Sequence, residues 1–248
     1  MAIERIARAA FVLALCLAAA CATRRGPVHE ELRSAAERND ALATADALEA
    51  LIAQGADTPA DREFAYDAVR AREEDTAAYA FARATVTGRL VQQRGLLGGN
   101  LVADIERWAL RSRELDPDFR DGAATRLLGT LYVLAPAALL EHGDSEHGLA
   151  LLEEIQQRHP NSLENHLRLA EAYISLGDPA PAEPHLCACI VGRASLRRDD
   201  QQLLDQLLAT AGTPTCVSQR APRPARSRAR EVGLVERSDF RRGLRGDS

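Results

Sequence analysis

Apolar residues return every three or four positions from Glu30 onwards, with turn residues between the runs. Leu32, Ala35 and Ala36, then Leu42, Ala45, Leu48, Leu51 and Ile52, keep this spacing and stop at Gly55. A period near 3.6 marks helices with one buried face. Asp57-Thr58-Pro59 opens the next helix, because proline's fixed φ suits the first helical turn; Phe64, Ala65, Ala68 and Val69 mark its buried side. Tyr79, Phe81, Ala82, Val86, Leu90 and Val91 mark a longer helix that closes around Gly95. Gly98-Gly99-Asn100 opens another, with Leu101, Val102, Ile105, Trp108, Ala109 and Ser112 on one side, and Asp116-Pro117 stops it. Behind Asp199-Asp200, the residues Leu203, Leu204, Leu207 and Leu208 define a last helix before Gly212. The pattern predicts an all-α fold of antiparallel helix pairs.

The pairs repeat. Counting from Ser162-Leu163, Leu169, Ala170 and Tyr173 fall at positions 7, 8 and 11, Gly177-Asp178 makes the turn, and Ala182, Leu186 and Cys189 fall at 20, 24 and 27. This resembles the 34-residue tetratricopeptide repeat, in which small residues at 8, 20 and 27 let two helices approach closely. His166 departs from it at position 4, and Pro184 sits inside the expected second helix. The preceding unit repeats the theme with Leu128, Gly129 and Tyr132, and ends on Leu152, Ile155 and Pro160. Gly129 and Ala170 are 41 residues apart, and the excess over 34 lies around Ala135-Pro136-Ala137-Ala138-Leu139-Leu140. Residues 86–119 fit a third, weaker unit. The expectation is a short, irregular solenoid whose last helix covers the exposed face of the final repeat.

Composition agrees with helices. Aromatics make up only 4% of the chain, and Ala and Leu, both strong helix formers, supply most of the apolar mass. Every basic residue but histidine is arginine, and the net charge of −5 is unevenly spread. Residues 219–248 carry nine Arg against Glu231, Glu236, Asp239 and Asp247, a local +5; with +1 on residues 1–20, the part between carries −11. An acidic body is a poor match for nucleic-acid phosphates.

Arg5 and Arg8 precede an unbroken apolar run from Ala9 to Ala20. Twelve helical residues span about 18 Å, too little to cross a bilayer core, so residues 1–20 read as a secretory signal. Leu17-Ala18-Ala19-Ala20-Cys21 resembles a bacterial lipobox, departing from it at Ala18. Lipidation of Cys21 is the expected outcome, and ordinary cleavage at the Ala-x-Ala site is the alternative. Ala22 after the cysteine favours the outer membrane in lipoproteins of this kind. The expected divisions are a signal over 1–20, a tether over 21–29, the helical repeats over 30–212 and a disordered Arg-rich tail over 213–248.

His185-x-Cys187-x-Cys189 invites a metal reading, but residues 185 and 189 share a helical face while 187 points away, and no second ligand pair follows at finger spacing. No metal, cofactor or catalytic residue is expected. In an oxidising compartment Cys216 can bridge to Cys187 or Cys189, and Cys189–Cys216 is the candidate pair carried forward. In Glu141-His142-Gly143-Asp144-Ser145-Glu146-His147, Gly143 breaks one helix and Asp144 or Ser145 caps the next. No phosphate loop, dinucleotide fingerprint, nucleophile elbow or H-E-x-x-H occurs.

A wider resemblance rests on Glu114-Leu115-Asp116-Pro117, Asp121-Gly122-Ala123-Ala124, Leu128-Gly129-Thr130-Leu131-Tyr132, Pro136, Gly143-Asp144 and Leu169-Ala170-Glu171-Ala172-Tyr173. With the lipoprotein signal, these resemble the T-component of TRAP transporters over roughly residues 60–212. The resemblance implies a periplasmic lipoprotein that pairs with a substrate-binding protein and relays a small apolar ligand. The alternative is a tetratricopeptide-like scaffold that organises envelope proteins without ligand transport. A continuous apolar channel would favour the relay, and a polar concave groove the scaffold.

Overall fold

A computed structural model describes residues 27–216. The expected signal over 1–20, the expected lipidation site Cys21 and the residues beyond Cys216 lie outside the described residues.

Ten α-helices and three short 3₁₀ segments, without strands, make up the described residues. The helices are α1 (Glu30–Glu37), α2 (Ala41–Gln54), α3 (Pro59–Arg70), α4 (Ala77–Arg94) and α5 (Val102–Leu115). They continue as α6 (Ala123–Leu134), α7 (Ser145–Arg158), α8 (Leu163–Ser175), α9 (Glu183–Val191) and α10 (Arg198–Ala211). The 3₁₀ turns are Gly95–Leu101, Ala137–Leu139 and Arg193–Ser195.

Local chemistry sets the boundaries. Thr58 accepts from Asp61 N–H while the Asp61 carboxylate accepts from Thr58 N–H, a reciprocal cap with Pro59 in the first turn. Asp40, Thr76, Asp144 and Ser162 cap α2, α4, α7 and α8, each accepting a backbone N–H three residues on. These side chains satisfy donors that the first helical turn leaves without a partner. Pro184 falls in the first turn of α9, so the helix forms around it. Gly98-Gly99-Asn100 does not open α5 directly: it belongs to the 3₁₀ segment, and the helix begins at Val102.

Consecutive helices pack as hairpins, α2 with α3, α4 with α5, α6 with α7 and α8 with α9, and each hairpin rests on the next. Leu48, Val69, Tyr79 and Val86 centre the first core; Ile105, Ala109, Leu128 and Tyr132 the second; Leu167, Ala170, Leu186 and Leu204 the third. Helix α10 covers α8 and α9, as a cap should. It also reaches α2, so the two ends of the array meet. The folded part extends past Gly212 to Cys216, which is bonded to α9.

Candidate functional site

Gly129 in α6 faces Gly148 in α7. A Cβ on Gly129 would stand 2.7 Å from Leu152 Cγ and 2.9 Å from the Gly148 carbonyl oxygen, and one on Gly148 would stand 2.8 Å from the Gly129 carbonyl. The two backbones therefore touch at this crossing, with no room for a methyl group. Sequence reasoning placed Gly129 here and missed Gly148, whose partner depends on how far the inserted connection shifts α7. Leu128 and Tyr132 are buried beside the crossing. In the next hairpin Leu169, Ala170, Ala182, Leu186 and Cys189 are buried and Tyr173 is half-buried.

The candidate pair Cys189–Cys216 is not the one formed. Cys216 is bonded to Cys187, with Cα atoms 5.4 Å apart. Cys189 is a free, buried thiol that lies against the Leu163 carbonyl at 3.6 Å. The reason is helical direction: residues 187 and 189 point to different faces, and the 189 face is filled by α8. Burial, and secondarily Asp200, pushes the Cys189 thiol up to about 12.

The connection between α6 and α7 is anchored by an acid that no sequence pattern singled out. Glu106, fully buried on α5, accepts the backbone N–H groups of Glu141 and His142, each at 2.7 Å. Gly143 fits under the Tyr132 ring, and Asp144 caps α7 by accepting from His147 N–H at 2.8 Å. The dense polar run is thus a loop fastening. His185, from the other suspected cluster, meets His166 Nδ1 to Nδ1 at 2.8 Å and stacks on Tyr173. The Tyr173 hydroxyl donates to Glu153 at 2.5 Å. Burial, then the neighbouring His166, lowers His185 to about 4; burial also lowers His166.

The inner face of the array is ionic. Arg89 holds Glu49 through two hydrogen bonds of 2.6 and 2.7 Å, and Arg197 donates to the same carboxylate at 2.8 Å and to Asp199 at 3.0 Å. Arg126 donates to Asn165 at 2.8 Å and pairs with Glu164 at 2.9 Å, while Arg168 pairs with Asp200 at 2.9 Å. Arg120 grips Asp46 of α2 through two bonds of 2.6 Å. It stands on a turn in which Arg120, Asp121 and Gly122 all have positive φ, a conformation that costs non-glycine residues about 1–2 kcal/mol each. A cavity of about 310 Å³ opens beside these pairs, lined by Asn161, Ser162, Leu163, Glu164, Arg197 and Asp200 among others.

A tetratricopeptide repeat family model matches residues 139–186, from the end of the inserted connection through α7 and α8 into α9. No curated protein matches the chain. The fold and the matched repeat together define a tetratricopeptide-like helical array, a type that points to protein–protein interaction and is typically non-enzymatic.

Proposed function

We propose that this chain is a lipid-anchored scaffold of a bacterial cell envelope, facing the periplasm, that docks a second envelope protein. The observation that carries this reading is the repeat match on a stack of hairpins whose inner face is charged. Asp46, Arg120, Glu164 and Arg197 suit polypeptide contacts better than a small apolar ligand, whose sites are mostly apolar. Export is supported by the Cys187–Cys216 bond, a kind that persists in oxidising compartments. Anchoring rests on Cys21 and its apolar leader.

The alternative, the ligand-relay role of a TRAP T-component, rests on the sequence resemblance alone. Native mass spectrometry of the protein extracted from its own membranes separates the two. The scaffold reading expects a co-purifying protein without a retained small molecule. A bound apolar molecule, together with a periplasmic binding protein, would replace it with the relay.

A further inference from the structure

Hairpins stacked side by side place every turn from a first helix to its second along one edge. Contacts tie that edge together. Arg62 at the start of α3 donates to the Arg89 carbonyl near the end of α4 at 3.2 Å. Leu139 of the α6–α7 connection lies against Gly99 of the α4–α5 connection, and Val133 near the end of α6 packs against the cluster that holds Leu169 and Ala172 of α8. Among the described residues, three of five exposed large hydrophobics sit on this edge: Leu97 (86% exposed), Leu134 (46%) and Leu176 (41%). Leu115 and Val191 sit at the opposite one. Pro136, Ala137 and Ala138 are exposed beside Leu134, and Gly95–Leu101 has no ionisable side chain. Of the acids on this edge, Asp57 pairs with Arg62 at 2.6 Å and Asp144 caps α7, while Glu141 and Asp178 are exposed beside the apolar residues.

The chain also enters at this edge. His29 is pinned to Asp61, in the first turn of α3, by its backbone N–H at 2.9 Å and its ring Nδ1 at 2.8 Å. From Cys21 to His29 a fully extended chain spans at most about 28 Å. The opposite edge lies farther off by the length of a helix, about 21 Å for 14 residues. A bilayer that holds Cys21 is therefore in reach of this edge before any other part of the array.

We propose that this edge rests on the phospholipid bilayer, with Leu97, Leu134 and Leu176 dipping into the interface below the headgroups. The inference rests on the reading of Cys21 as an anchor. No helix among the described residues is long and apolar enough to cross a membrane, so the contact is peripheral. It acts as a second attachment beside the acyl chains and fixes the orientation of the array. Arg24 and Arg25 in the tether suit anionic headgroups. The opposite edge and the charged inner face are then left for a protein partner.

The thiol chemistry of the chain provides a test. Cys187 and Cys216 are bonded and Cys189 is buried, so Cys21 is the reactive thiol of the mature, unacylated chain. That thiol is coupled to a maleimide phospholipid in vesicles of phosphatidylethanolamine and phosphatidylglycerol, and in parallel to a soluble maleimide. Amide exchange on the vesicles slows by about threefold or more over 95–101, 134–140 and 176–180, and is unchanged over 116–122 and 192–197. The triple variant Leu97→Glu, Leu134→Glu, Leu176→Glu stays coupled and loses that protection. Equal protection of both edges, none at all, or protection of the opposite edge overturns the proposal. The mass of the mature N-terminal peptide from the native host reports the anchor separately. An unacylated Cys21 removes the anchor reading, whereas failed protection on tethered vesicles removes the membrane-facing edge alone.

Discussion

Asp61 shows how much one side chain can hold. It sits fully buried in the first turn of α3, where its carboxylate takes hydrogen bonds from the Thr58 backbone and hydroxyl and from the backbone and ring of His29. Burial pushes its pKa up, but these donors outweigh burial and leave it below the usual carboxylate value. Its contribution is therefore complete above about pH 4 and fades as pH falls through the lowered folded value. Asp61→Ala should cost about 2 kcal/mol and free the segment at His29, read as a lower melting temperature and faster proteolysis near residue 29. His185 works in the opposite charge state. Its folded pKa of about 4 lies below that of a free imidazole, so the unfolded chain binds the extra proton first. Stability should fall as pH drops from about 6.5 towards 4, with α8 and α9 loosening first. His185→Gln should flatten that part of the melting-temperature profile; an unchanged slope would mean that another group sets it. Neither role is legible in the sequence, where Asp61 is one of 36 acidic residues and His185 stands beside two cysteines that suggest metal.

At the scale of elements, the pattern of apolar positions carried most of the information. Caps at Asp40, Thr58, Asp144 and Ser162 lie where polar residues precede apolar runs, and local rules suffice to find them. Contacts between elements are harder to read, because they depend on rotation about each helix axis. Gly129 was recognisable from its repeat position, but its counterpart Gly148 lies beyond a connection of irregular length. The cysteine pairing failed for the same reason: a two-residue step along α9 turns Cys189 inward and leaves Cys187 to meet Cys216. The glycine crossing makes a sharp prediction. Gly129→Ala adds one methyl group against Leu152 and the Gly148 carbonyl, neither of which is a free side-chain end. The helices must part by several tenths of an ångström, at about 2 kcal/mol or more. Thermal unfolding should shift down by roughly 4–8 °C for that cost in a domain of this size. Gly177→Ala, at an open turn with φ +82, should lose less, through backbone strain alone.

The closure of the array was invisible in the sequence, since it joins Glu49 to Arg197 across 148 residues. A solenoid capped by a terminal helix has free ends, whereas here α10 turns back on α2 through Glu49, Arg89, Arg197 and Asp199. Burial pushes the Glu49 carboxyl up, but hydrogen bonds and charge from Arg89, then Arg197, bring it below its ordinary value. A carboxylate shared by two guanidiniums is hard to replace. In Glu49→Gln, Arg89 and Arg197 face each other with only Asp199 between them, at 3.5 and 3.0 Å. Removing one partner of a largely buried pair leaves charge without compensation, which is strongly destabilising. The N-terminal half of α10 and the C-terminal half of α2 should then exchange amide protons about tenfold faster, while α6 and α7 keep their rates. The exposed pair Arg111–Asp75 is the control. Arg111→Ala should leave exchange in α10 unchanged, because surface ion pairs contribute little. If Glu49→Gln accelerates no exchange in α10, the array is an open solenoid whose ends touch without holding. If it does, a partner that binds at this seam must compete with Glu49 for Arg89 and Arg197. Such a partner would carry acidic side chains, and its affinity should rise in the Glu49→Gln variant while the stability of the free protein falls.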